Sequence, residues 1–280
     1  VEVTYLLRSA WAGWTEAVSR SRGGGCDAAL HVQARSALVA DCATGEVLYV
    51  QDPHVRIAPA SITKLMTLRL ALRAVRAGDL TWEEEVPISE RAAADHPDFL
   101  GASCMYLRAG DRATVGDLLK GVAVPSACDA AMALAEHLSG SAGAFVEQMN
   151  REAERLGMRH TRFVDPHGLS AENRTTAADL LLLARRYVLE EPDALARLHS
   201  LSWVVYRGRV LRATNLLLGR YPGVDGLKTG FLEEAGYHQI TTAVRGGHRL
   251  IGIVLGTASK RARRDESAAL LNLGFGRLAT

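Results

Sequence analysis

Two short apolar runs, Ser36-Ala-Leu-Val-Ala40 and Glu46-Val-Leu-Tyr-Val50, flank the turn-rich Asp41-Cys-Ala-Thr-Gly45. Neither run is long enough for a helix core, and Gly45 is free to take positive φ, so the pattern predicts a β-hairpin. The period then changes. Leu65, Leu68, Leu72 and Val75 recur at three- and four-residue intervals, which predicts a helix from Ser61 to about Ala77, stopped by Gly78-Asp79. Further helices are predicted over Val115 to Gly121, from Ser126 or Asp129 to Leu138, and over Phe145 to Leu156 with a stop at Gly157. The stretch from Thr176 to Val188 follows, with Thr175 or Thr176 as its cap and Asp179 favourable in its first turn. Strand patterns return at Leu201 to Tyr206 and Arg209 to Arg212, around Gly208. Gly226 to Phe231, Tyr237 to Val244 and Leu250 to Leu255 then predict an antiparallel meander, and Glu266 to Leu271 a closing helix. Strands first, helices in the middle and strands last imply an αβ lobe built from both ends of the chain, with a largely helical insertion.

Composition narrows this picture without naming a chemistry. The 280 residues are 48% hydrophobic and 23% charged, with a formal net charge of +2, enough for one large core or two moderate lobes. So balanced a charge gives no reason to expect nucleic acid as a partner, since Lys260 to Arg264 is the only dense basic run and reads as a solvated helix start. No apolar stretch is long enough for a spanning helix. Residues 1 to 33 are the least organised; Ser19 to Gly25 reads as a flexible surface segment, and Tyr5 to Trp14, interrupted by Arg8, as mature sequence after loss of any export signal. Cys26, Cys42, Cys104 and Cys128 are spaced too widely for a zinc knuckle or a redox pair, and the spacing leaves open whether any of them bridge. His160, His167, His199, His238 and His248 form no compact metal-ligand motif, so neither metal nor cofactor is expected.

The candidate chemistry begins at Ser61-Ile-Thr-Lys64, which sets a hydroxyl and an amine one helical turn apart. At a helix N-terminus, free amides and the helix dipole would favour negative charge on the serine, and burial beside a second cation such as Lys228 would lower the proton affinity of Lys64. Alone, this pair is as easily an ordinary helix start. Lys228-Thr229-Gly230 lies in a predicted strand; an edge strand there could pair with an extended peptide, with Lys228 and Thr229 meeting its carboxylate and Gly230 allowing close approach of a ligand backbone. Ser126-Ala-Cys128 opens a predicted helix, where Ser126 is either a plain cap or a proton relay from Lys64, and Cys128 either a small buried residue or part of the site.

Together these residues resemble the penicillin-binding D-alanyl-D-alanine carboxypeptidases of low molecular mass, defined by Ser-x-x-Lys, Ser-x-Asn and Lys-Thr-Gly in that order. The resemblance extends through Asp41-x-x-Thr-Gly-Glu46, Pro59-Ala-Ser-Ile-Thr-Lys-Leu-Met-Thr67, Leu118-Leu-Lys-Gly121, Phe163-x-x-Pro-His-Gly-Leu169, Tyr221-Pro-Gly-Val-Asp-Gly-Leu-Lys-Thr-Gly230 and Asn272-x-Gly-Phe275. It implies an α+β transpeptidase fold shared with β-lactamases, an antiparallel sheet flanked by helices with a helical subdomain at roughly 80–195, a catalytic domain over 34–275 and a tail at 276–280. It also implies roles. Ser61 would form the acyl-enzyme, Lys64 would act as base, and Ser126 and Lys228 would complete the proton network. The amides of Ser61 and Phe231 would form the oxyanion hole, while Thr229 and Arg263 would hold the substrate carboxylate. The implied partners are stem peptides ending in D-Ala-D-Ala and β-lactam inhibitors, in the extracytoplasmic cell envelope, with membrane association through a C-terminal part that this chain lacks.

One residue departs from the pattern. Cys128 stands where the family has asparagine, removing the amide that would orient the substrate backbone and reach toward Lys64. The expected function is a D-Ala-D-Ala carboxypeptidase. Two alternatives are a penicillin-hydrolysing enzyme, for which Glu147 and Glu172 lie outside the required motif, and an impaired penicillin- or cell-wall-binding protein, which Cys128 favours.

Overall fold

A computed structural model describes residues 32–279. The readings of Tyr5 to Trp14, Ser19 to Gly25 and Cys26 lie outside the described residues. Strands β1 (Ser36–Asp41) and β2 (Val47–Gln51) form the expected hairpin, with Gly45 at φ 80°. They join β7 (Val224–Leu232), β8 (Gly236–Arg245) and β9 (His248–Thr257) in a five-stranded antiparallel sheet of order β2-β1-β9-β8-β7. Both ends of the described chain thus contribute to one sheet, and β7 lies at its edge.

Helix α1 (Lys64–Ala77) ends at Gly78 in the left-handed conformation, as the Gly-Asp stop predicts. The middle of the chain contributes α2 (Val115–Ala123), α3 (Cys128–Ser139), α4 (Ala142–Leu156) and α5 (Ala177–Glu190), whose N-cap Thr176 accepts from the Asp179 amide at 3.1 Å. The closing helix α6 (Lys260–Leu278) is far longer than its apolar stretch and takes in both the basic run and most of the anticipated tail. Lys260 to Arg264 therefore is a helix start, capped by Ser259.

Every residue of β1 is buried, because α5 packs on one face of the central strands and α6 on the other. Gly274 permits that approach: a Cβ there would lie 2.7 Å from Leu250 Cδ1 and 3.1 Å from Val39 Cγ2. The apolar cluster runs without a break from Leu38 and Ile253 in the sheet through Leu65 and Met66 to Leu119, Leu134 and Phe145. Burying each such side chain stabilises the fold by about 1.5–3 kcal/mol.

Two small antiparallel pairs complete the architecture. The hairpin β5 (Trp203–Tyr206) and β6 (Arg209–Arg212) was legible, whereas β3 (Glu85–Pro87) and β4 (Arg112–Thr114), three residues each, are too short to show a period. No helix among the described residues is long and apolar enough to cross a membrane.

Candidate active site

Ser61 does not open a regular α-helix. It sits in a 3₁₀ turn, Ala60–Thr63, that precedes α1, and Ala60 takes φ 51°. Packing from two sides holds this turn. A Cβ on Gly230 of β7 would lie 2.9 Å from the Pro59 carbonyl oxygen, and one on Gly168 would lie 1.9 Å from that of Ala60. The room that Gly230 leaves is therefore occupied by the protein's own nucleophile turn, which corrects the expectation of a ligand backbone there.

Lys64 points back from the first turn of α1 and is fully buried. Its Nζ donates to Ser61 Oγ at 2.9 Å, to Cys128 Sγ at 3.3 Å and to the His167 carbonyl at 2.6 Å. Thr67, one turn further, donates to the Pro166 carbonyl at 2.6 Å, so α1 fixes the Pro166–Gly168 loop. Asp165 folds that loop from within, accepting from the amides of His167 at 3.0 Å and Ser170 at 2.7 Å. Burial pushes the His167 imidazole down to about 4.

Ser126 is not the cap of α3; Ala127 holds that position, and Ser126 precedes it at φ 67°. Left-handed conformations at Ala60 and Ser126 cost about 1–3 kcal/mol each; Ala60 precedes the serine that Lys64 meets, and Ser126 itself meets Lys228. Lys228 Nζ donates to Ser126 Oγ at 2.7 Å and to the Thr229 carbonyl at 3.1 Å. Burial first, and the Lys64 charge second, hold the Lys228 amine well below the usual lysine range.

Next to Lys228, Thr229 Oγ1 lies 2.6 Å from Thr214 Oγ1, and the Thr214 carbonyl accepts from Arg263 of α6 at 3.1 Å. Arg263 is buried, its Nε has no partner, and burial brings the guanidinium down to about 10. Phe231 stays half exposed, stacked on Tyr237 with ring centroids 4.3 Å apart.

The fold thus gathers Ser61, Lys64, Ser126, Cys128, Lys228, Thr229 and Arg263 from four separate segments. Sequence reasoning missed the His167 carbonyl and Thr214. A backbone oxygen leaves no residue-type signal, and a threonine outside any motif leaves almost none. Lys64, Lys228 and Arg263 have only neutral partners among the described residues, so the site gathers buried basic groups with no carboxylate beside them.

Such an α+β sheet with a helical subdomain is the fold of the penicillin-binding proteins, as in penicillin-binding protein D2 of Listeria monocytogenes, solved with cefotaxime bound: TM-score 0.80, 36% identity, 88% of this chain and 99% of that one. Streptomyces K15 DD-transpeptidase is similar too, at TM-score 0.80 and 29% identity over 89% of this chain and all of the other. Its solved forms include one in which asparagine replaces a cysteine and another in which alanine replaces a serine two positions earlier, the spacing of Ser126 and Cys128. Among curated relatives, D-alanyl-D-alanine carboxypeptidase DacD of Escherichia coli is 38% identical over 246 residues, 87% of this chain and 63% of its own length. The chain spans less than two thirds of that relative. A family model for D-alanyl-D-alanine carboxypeptidases matches residues 25–259, and the chain belongs to that family.

Proposed function

We propose that this chain is a serine acyl transferase of the cell envelope that is acylated at Ser61 by D-Ala-D-Ala stem peptides and by β-lactams, and that releases the acyl group to water poorly. Lys64 takes the proton as Ser61 Oγ attacks, and the Lys228–Ser126 pair delivers a proton to the departing D-alanine. The amides of Ser61 and Phe231 receive the oxyanion. Thr229 and Arg263 bind the terminal carboxylate, which supplies the acidic partner that the buried basic groups lack. The catalytic unit is residues 34–275.

The observation that carries the slow release is the contact of Lys64 with the Cys128 sulfur. A thiol is a weak donor and acceptor in a place where a carboxamide would both hold the amine and orient the substrate backbone. Loss of such a bond costs about 1–3 kcal/mol in the transition state, or roughly five- to 150-fold in rate. Intact mass after incubation with penicillin should show a single stable adduct on Ser61, while D-alanine release from a stem-peptide mimic lags. C128N should raise release about tenfold. Absence of any adduct overturns the acylation chemistry, and unchanged release in C128N overturns the role of the thiol.

One finding favours a second reading, in which an amine rather than water accepts the acyl group: the K15 relative, which carries a serine and a cysteine at this spacing, bears the name transpeptidase. Glycylglycine added to the assay then increases D-alanine release and yields a longer peptide; without that product the second reading fails.

A further inference from the structure

Cys104 and Cys128 are 24 residues apart in sequence, yet the backbone places them side by side. The Cys128 amide donates to the Ser103 carbonyl at 2.7 Å. Asp129 ties down the same segment, accepting from the Met105 amide at 3.0 Å and the Leu107 amide at 3.1 Å. The Ser103 oxygen is one trans peptide unit from the Cys104 Cα, so this bond keeps the Cα atoms of Cys104 and Cys128 within roughly 7 Å of one another. That reach covers the ~4.4–6.8 Å that a disulfide spans. Both thiols are free, Cys128 is buried, and Cys104, packed against the core cluster that includes Cys128, remains half-buried. The wide spacing that argued against a redox pair is thus closed by the fold.

We propose that Cys104 and Cys128 are a reversible dithiol–disulfide site that turns Ser61 acylation off when oxidised. The oxidant is a disulfide of low molecular mass. Cys104, the more exposed, loses its proton and attacks one sulfur of that disulfide, expelling the first thiolate. Cys128 then loses its proton, attacks the Cys104 sulfur of the mixed disulfide and expels the second. Two protein thiols give up two electrons and two protons, and the oxidant leaves as two thiols. Bridging brings the two Cβ atoms to about 3.5–4.5 Å, which draws the Cys128 sulfur from Lys64 and removes its S–H. Burial, with the Asp129 charge next, pushes the Cys104 thiol up to about 12, so the reaction is slow and is followed over hours.

The effect on rate rests on the acylation proposed above; the bridge itself does not. The protein is incubated with oxidised glutathione, digested without reduction and analysed by peptide mass, and the rate of penicillin adduct formation is measured in parallel. The expected result is a linked Cys104–Cys128 peptide, acylation at least tenfold slower, recovery with dithiothreitol, and C104S acylating normally but insensitive to the oxidant. C104A and a urea midpoint for each form separate this from a folding defect. No linked peptide, a linked form that acylates at the reduced rate, or C104S as sensitive as the parent would each overturn the proposal. A reduced protein that takes no penicillin defeats the acylation reading, while the peptide map still decides the bridge.

Discussion

Two regions of this molecule bury cations against α1, and they do so on opposite terms. On the helical side, Arg69 is wholly buried, with Nε 2.7 Å from Glu152 and an NH2 2.7 Å from Glu190. Arg73, at 2.5 Å, and Arg155, at 2.7 Å, close on the same Glu152 carboxylate. Burial would raise that carboxyl, but the hydrogen bonds of Arg155 and Arg69 bring it down to about 2. On the other side, Lys64, Lys228 and Arg263 meet only hydroxyls, a thiol and carbonyls. The first region is neutralised and anchors α1 to α4 and α5. The second has no carboxylate of its own, which costs stability and suits it to receive one.

Breaking each region should therefore have opposite consequences. Lys64→Met should reduce penicillin acylation about a thousandfold, read by adduct mass against time, because no other group reaches Ser61 as base. Glu152→Gln should cost about 3 kcal/mol in urea denaturation, since it removes the carboxylate shared by Arg69, Arg73 and Arg155 and leaves the buried Arg69 only Glu190, with acylation per folded molecule unchanged. Lys228→Met should show the inverse: acylation about a hundredfold slower, yet a Tm raised by about 2–4 °C, equivalent to about 1 kcal/mol, because an unpaired buried amine is gone. A fall in Tm for Lys228→Met would erase the contrast between the regions.

The smallest effect is one of pH. His199 is buried behind β7, its Nδ1 2.9 Å from the Leu227 carbonyl and its Nε2 2.7 Å from the Tyr187 hydroxyl. Burial pushes it down to about 4. The unfolded chain binds that proton near pH ~6.5; between there and about 4 it holds more protons than the folded chain, so stability falls as pH drops through this window. Glu152 adds its loss only lower, as pH falls from ~4.3 toward about 2. His167 and His238, also pushed down to about 4 by burial, share that window, so His199→Gln should make the upper limb of a urea-midpoint profile shallower by roughly a third and leave the lower one intact.

Much of this was legible in the chain. Helix and strand periods located the long elements because each buries one consistent face, and Gly78 and Gly157 marked true stops. The ordered motifs led to Ser61, Lys64, Ser126 and Lys228. What stayed hidden has a common physical origin: contacts made by backbone atoms carry no residue signature. The 3₁₀ turn at Ser61, the carbonyl of His167 that holds Lys64 and the carbonyl of Ser103 that brings Cys104 to Cys128 all belong to that class. Cys128 itself was visible as a departure; that its sulfur rests on Lys64 was not.

The two glycines that press on the Ser61 turn have a consequence for how this scaffold can vary. At Gly168 and Gly230 the nearest neighbour of any added atom is main chain, which has no rotamer to swing aside. Even one methyl at either position would displace the Ser61 turn itself. The main chain around Ser61 is thus defined by missing atoms and leaves natural variation no foothold at these two positions. Variation is left to the side chains that surround the turn, as at Cys128 beside Lys64.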